Sequence, residues 1–464
     1  MTTRTSPTAT ADKPELTERG LATDLRLPQL LFLLLVATVP FFRWRQLPGP
    51  EFMKLDWLLM AALLLFLGPY LLLHKSPPAR LRSNIWLPLA LFLIANLVAN
   101  LVSPYPEQSW SGFIGLLQGS LFILVATLML NDRSVTSTLP LVLGLSVGLN
   151  ALFSAMQYFL GIELFDQTGV RSYGATISAN NMALMCIFTL PLMIYWGIFG
   201  PTPNQRWLGR VLAVLLVMGV FSTVSRGGFL GMILVLVLVA VQYRRRFHPR
   251  YLGLLVAGLA IAAIMVVSVL PQDFFERQAS LVTQGTEDES VSRRSYYIQV
   301  GWEAFQQRPI IGWGTSSFQE IWVRSEVTRL FNMEKRPAHN TYMEVAVGSG
   351  LLGLAAFGLL LGCAYWNYRT ADRLLRAQGH EAEAHLMGAY KLGMMAVLFY
   401  FLIKSGLEHK HYLLALPLSH AALSYARRRV SGVLPTRSGA PGDRGHGPRD
   451  GASTDPRQAD SDHG

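Results

Sequence analysis

A chain of 464 residues with 51% hydrophobic and 15% charged residues carries far less charge than the roughly 25% of a soluble domain, which excludes water as its main solvent. The net charge of +11 raises nucleic acid as a partner, yet much of the excess sits in short loops between apolar runs. The cation bias of cytoplasmic loops in membrane proteins accounts for it better, so no nucleic-acid partner is expected. The two cysteines, Cys186 and Cys363, lie inside apolar runs without CxxC spacing, which argues against a disulfide framework or a zinc site and marks them as packing residues.

Residues 1–27 are polar and contain no apolar signal-peptide core, so the first span is expected to direct insertion. Beyond them the apolar runs are roughly 18 to 24 residues long, enough to cross a hydrocarbon core of about 30 Å at about 1.5 Å per residue. They predict an all-α, polytopic membrane protein with about twelve transmembrane helices. Nine of these fall within 28–271, near 28–44, 55–74, 85–103, 110–130, 138–160, 177–199, 207–224, 227–243 and 251–271. The large loop 272–339 follows, and then 340–427 holds spans near 340–367, 386–405 and 411–427. The stretch 428–464, rich in Gly, Pro, Asp, Arg and Ser, cannot bury a core and reads as a disordered tail.

Orientation follows from the Lys/Arg bias of the connections. Lys75, Arg80 and Arg82, then Arg244, Arg245, Arg246 and Arg250, then Arg369, Arg373 and Arg376 cluster in even-numbered connections, which places those and both termini in the cytoplasm. Arg43, Arg45 and Lys54 run against the contrast. On this reading the loop 272–339 is periplasmic.

A loop of that length is expected to fold. Tyr297, Val300, Gly301, Ala304 and Phe305 recur at helical spacing, predicting an amphipathic helix over about 290–307 that Arg308-Pro309 stops. After Gly312-Trp313-Gly314, Ser317 and Glu320 have the spacing of a capping box, predicting a second helix that runs to about Asn332.

Four residues stand out for chemistry. His339, where the loop meets the tenth span, is either a solvated histidine or a base able to take a proton from a sugar hydroxyl, its ordinary pKa of about 6.5 suiting that task. Arg226 follows the tight turn Ser225-Arg226-Gly227-Gly228 and reads either as a snorkelling interfacial arginine or as an anion clamp. Arg294, beside Arg293 at the start of the amphipathic helix, opposes the helix dipole. That points to an anion nearby or to pairing with Glu287, Asp288 and Glu289. Arg171, in the connection 161–176, is a further candidate of the same kind. Gly348-Ser349-Gly350-Leu351-Leu352-Gly353 matches GxGxxG but lies inside a span with no preceding strand, so it reads as a site of close helix approach rather than a dinucleotide fingerprint. No Walker A run or paired metal ligands occur, so no cofactor and no metal is expected.

Taken in order, these motifs resemble those of the O-antigen ligase (WaaL) and polymerase superfamily of membrane glycosyltransferases. Ser225-Arg226-Gly227-Gly228 is similar to the family's SRG turn. Arg294 with Ala304-Phe305, Arg308-Pro309, Gly312-Trp313-Gly314 and Phe318 is similar to its loop signature, and His339-Asn340 with Glu344 and Gly350 to the motif that follows. Together they span roughly residues 205–405. The resemblance implies a GT-C-like fold in the bacterial inner membrane. It also implies metal- and ATP-independent, inverting transfer of O-antigen polysaccharide from undecaprenyl pyrophosphate to a lipid A-core sugar hydroxyl, in lipopolysaccharide biosynthesis. On that reading His339 is the general base, Arg226 and Arg294 hold the pyrophosphate, Arg171 assists, and Glu344 either orients His339 or caps the helix. An O-antigen polymerase or a related oligosaccharyltransferase is the close alternative. A transporter or flippase is the different one, though no internal repeat of the spans accompanies it.

Overall fold

The computed structural model describes residues 26–42, 54–73, 83–130, 133–162, 171–244, 289–331, 334–407 and 410–432. Every regular element among them is helical. The bundle opens with α1 (Arg26–Thr38), α2 (Leu55–Leu73), α3 (Trp86–Leu101), α4 (Pro106–Leu130), α5 (Arg133–Leu160), α6 (Ala179–Phe199), α7 (Pro203–Ser222) and α8 (Arg226–Tyr243). A layer of α9 (Glu289–Gln307), α10 (Phe318–Arg324) and α11 (Glu326–Phe331) follows, and α12 (Thr341–Ala377), α13 (Glu381–Tyr400), the short α14 (Lys410–Leu413) and α15 (Ala415–Val430) close the chain.

Six described helices, α4 to α8 and α12, are long and apolar enough to cross a membrane, and α1, α2 and α3 include shorter apolar stretches. Such a set of apolar helices marks a membrane protein. α13 and α15 coincide with the last two predicted spans. The predicted span 251–271, the loop portion 272–288 and most of both terminal segments lie outside the described residues.

At the centre of the bundle α12 packs against α3, α13 and α15, while α6 packs against α7 and α13. Small residues set the closest approach: a Cβ on Gly209 of α7 would come within 2.6 Å of the Gly197 backbone nitrogen on α6, which is how helices gain contact where lipid gives no hydrophobic drive.

Alternating helix directions bring residues 100–106, 160–162, 171–179, 222–226, 339–341 and 400–407 to one face. Bonds between them confirm it: Ser172 N donates to Ser222 O at 3.1 Å and Thr341 N to Phe401 O at 2.8 Å. The α9–α11 layer covers this face, anchored by Ser103 Oγ donating to Trp313 O and by Thr315 N donating to Asn100 Oδ1 at 2.8 Å. Helix-end arginines at the opposite side, such as Arg206 and Arg210, donate to Gly200 O and Gly197 O at 3.1 Å.

α9 forms as its periodicity predicts, burying Tyr297, Val300 and Ala304 against Phe318, Trp322 and Val347. Arg294 sits in its second turn rather than at its start. The second predicted helix breaks in two at Ser325, whose hydroxyl turns to Trp322 O and Thr328 Oγ1 at 2.8 and 3.2 Å. No capping box forms: Ser317 is already in the helical region and makes no side-chain cap bond.

The GxGxxG stretch meets expectation in part: an added Cβ on Gly353 would touch Ala95 of α3 at 3.9 Å, but what approaches Gly348 and Gly350 is a loop. Gly350 adopts φ 60°, ψ −160° and breaks α12. Trp313 N and Gly314 N donate to the freed Val347 and Gly348 carbonyls at 2.9 and 2.8 Å, and Leu351 N donates to Pro309 O at 2.7 Å. The segment 309–314 is thereby bonded to the break through its own backbone groups, which pair with carbonyls and an amide that the interrupted helix would otherwise leave open.

Candidate active site

Three helices begin together on the loop-covered face. Ser178 caps α6 by accepting from Asn181 N at 3.3 Å, Ser225 caps α8 by accepting from Gly228 N at 3.1 Å, and Asn340 caps α12 by accepting from Met343 N at 3.0 Å. Side chains tie these starts together. Ser225 Oγ donates to Asn180 Oδ1 at 2.8 Å, and Arg171 reaches the same oxygen at 3.4 Å while donating through Nε to Thr223 O at 3.0 Å. Lys404 Nζ donates to Asn181 Oδ1 and, at 3.4 Å, to Ser178 Oγ, and Tyr412 OH also reaches Asn181 Oδ1 at 2.8 Å. Converging helix starts and cationic side chains give a strongly positive locus, suited to an anion.

His339 lies next to this locus. It immediately precedes the cap of α12 and adopts φ 50°, a left-handed conformation that costs a non-glycine residue of order 1–3 kcal/mol and is held only where surrounding structure fixes it. The fixing contacts are visible on both sides. Glu344 Oε1 accepts from Ala338 N at 3.0 Å, so Glu344 secures the turn beneath the histidine, and the Tyr297 ring lies 5.6 Å from the imidazole. The histidine lines a cavity of about 270 Å³ together with Lys404, Glu344, Ser316 and Gln319.

Burial, with the charges of Arg294, Lys404, Arg336 and Arg293, holds the His339 pKa down to about 4. The imidazole is therefore neutral at physiological pH and able to accept a proton. This replaces the ordinary value near 6.5 with a weaker base set among cations. Negative charge brought to those cations would raise it again.

The predicted site residues come together unevenly. Arg294 influences both His339 and the Tyr400 hydroxyl electrostatically, and Arg171 influences Tyr400 as well, so these three belong to one neighbourhood. Arg226 is half-buried as the first residue of α8, next to the Ser225 cap, which places its backbone there. Sequence reasoning missed Lys404, Asn180 and Asn181. Lys404 had a signal: a lysine within an apolar run is expensive and usually serves a partner or ligand. The asparagines had none beyond following a helix cap. Among the described residues no group of three or more His, Cys, Asp or Glu could hold a metal ion.

No curated protein matches the chain. Residues 211–358 match the family model described as O-antigen ligase, and that stretch runs from α7 through the SRG turn, the α9–α11 layer, His339 and the break at Gly350. In the portion that builds the His339 face the chain is thus similar to the O-antigen ligases, the family its motifs resemble.

Proposed function

We propose that the protein transfers O-antigen polysaccharide from undecaprenyl pyrophosphate to a sugar hydroxyl of the lipid A core. The observation that carries this reading is a neutral histidine in a cavity beside convergent helix starts, Arg171, Arg294 and Lys404. The acceptor hydroxyl gives its proton to His339 as its oxygen attacks the anomeric carbon of the donor sugar. The bond from that carbon to the pyrophosphate oxygen breaks, and the electron pair leaves with the pyrophosphate. Arg294, Arg226 and Arg171 bind the departing anion, with Lys404 beside them, because a guanidinium offers paired hydrogen bonds to phosphate and keeps its charge. Single displacement inverts the anomeric centre. The bond energy already stored in the donor drives the step, so neither ATP nor a metal is required.

We place the chain in the bacterial inner membrane with about twelve spans, both termini cytoplasmic and the His339 face periplasmic. Arginines at the opposite helix ends support that orientation. Arg171, Arg226, His339 and Lys404 lie at or just beyond helix ends rather than midway along them, which favours a transferase over a transporter. The test is to incubate purified protein with undecaprenyl-pyrophosphate-linked glycan and lipid A core, without ATP or divalent metal. Glycan on the lipid A core supports the reading; glycan added only to other donor molecules assigns a polymerase instead.

A further inference from the structure

We propose that a second cavity on the same face is a saccharide-binding subsite and that its occupant is the acceptor sugar, an inference that rests on the transferase reading above. The cavity measures about 520 Å³ and lies among the ends of α1, α2, α4 and α6, within the usual range of small-molecule sites. Its lining combines the Trp57 indole with Gln108, Ser111 and Gln118, and with the ion pair of Lys410 and the buried Asp56. That is the chemistry a sugar needs. An aromatic face meets the apolar face of the ring, and amides, a hydroxyl and a charged pair both donate to and accept from its hydroxyls.

Position adds a second argument. This cavity shares Gly112 and Ser316 with the cavity that holds His339. The two adjoin at a narrow junction, since a Cβ on Gly112 would stand 2.5 Å from Ser316 Oγ. In a single displacement the attacking and leaving oxygens lie on opposite sides of the anomeric carbon, so the acceptor must reach the histidine from a direction other than the cationic locus that holds the pyrophosphate. The Trp57 cavity borders that locus at Asn181 but meets the histidine's cavity at Gly112 and Ser316 instead, and it is less cationic than that locus, with Asp56 offsetting one of its two lysines.

The experiment measures transfer at varied acceptor and varied donor for wild type, Trp57→Ala and Gln118→Ala. Both side chains are exposed to the cavity, so truncation leaves the core intact. The expected result is an acceptor KM raised about tenfold or more, the loss of one or two sugar contacts, with the donor KM and the kcat at saturating acceptor unchanged. A rise in donor KM alone would assign the cavity to the donor glycan and overturn the acceptor assignment. Unchanged KM values in an active enzyme would overturn the subsite and leave the transferase reading standing. Absence of transfer by wild type would remove that reading and this inference with it.

Discussion

Replacing Gly350 by alanine should unseat the loop that roofs the site, and the cost can be worked from the backbone. At φ 60°, ψ −160° the residue occupies a region essentially reserved for glycine, worth about 1–3 kcal/mol of strain for any other residue. The added Cβ would also press into the Ile310 carbonyl group and stand 2.8 Å from Ile311 N. Those atoms cannot yield freely, because residues 309–314 are held by the bonds from Trp313 N, Gly314 N and Leu351 N across the break. Relief requires breaking at least one of them, at about 1–3 kcal/mol for a buried group left unpaired. The sum is about 2–6 kcal/mol. Gly358 on the same helix is the internal control: nothing lies within 4 Å of its added Cβ, so alanine there is neutral or stabilising by up to about 1 kcal/mol. Thermal unfolding of both variants in one detergent, followed by tryptophan fluorescence, should show Gly350→Ala melting well below wild type and Gly358→Ala not. Equal melting of Gly350→Ala and wild type would refute the argument that the break in α12 seats the loop.

Asn100 accepts from Thr315 N at 2.8 Å and donates to Ser109 O at 3.0 Å; Asn100→Leu strands both buried groups and should lower stability by about 2–5 kcal/mol, read as a fall in melting temperature. Lys404→Met removes the ammonium that donates to Asn181 and Ser178 at the α6 start, and should weaken donor binding by roughly 10- to 100-fold, the worth of one charge-assisted bond, in titrations with pyrophosphate-linked lipid. Because the cations around His339 lower its pKa, Arg336→Gln, which removes one of them, should move the acid limb of the pH–rate profile to higher pH. Donor binding should do the same, so the limb in kcat should lie above the limb in kcat/KM for the donor. An acid limb indifferent to both would separate His339 from the rate.

Much of this was legible in the residues. The periodicity of Tyr297, Val300 and Ala304 gives α9 because a face buried against Phe318 and Trp322 needs that spacing and little else. The tight turn at Ser225-Arg226-Gly227-Gly228 is readable because the run around it is too long for one crossing. Other features were hidden for physical reasons. Glycines in an apolar run say that something comes close, but not whether it is a helix or, as at Gly350, an inserted loop. The spacing of Ser317 and Glu320 promised a capping box, yet the turn carrying Ser317 was already helical, so its hydroxyl had no cap to make. The left-handed backbone of His339 and its cationic surroundings come from α9, α12 and the chain beyond α13 meeting, contacts that no local pattern encodes.

The most direct test of the central claim is single-turnover transfer from undecaprenyl-pyrophosphate-linked glycan to lipid A core by wild type and His339→Ala, with donor binding measured on the same preparations. His339→Ala is expected to bind donor about as well as wild type and to transfer glycan at least about 100-fold more slowly, the usual worth of a positioned base. Transfer by His339→Ala at the wild-type rate would contradict it.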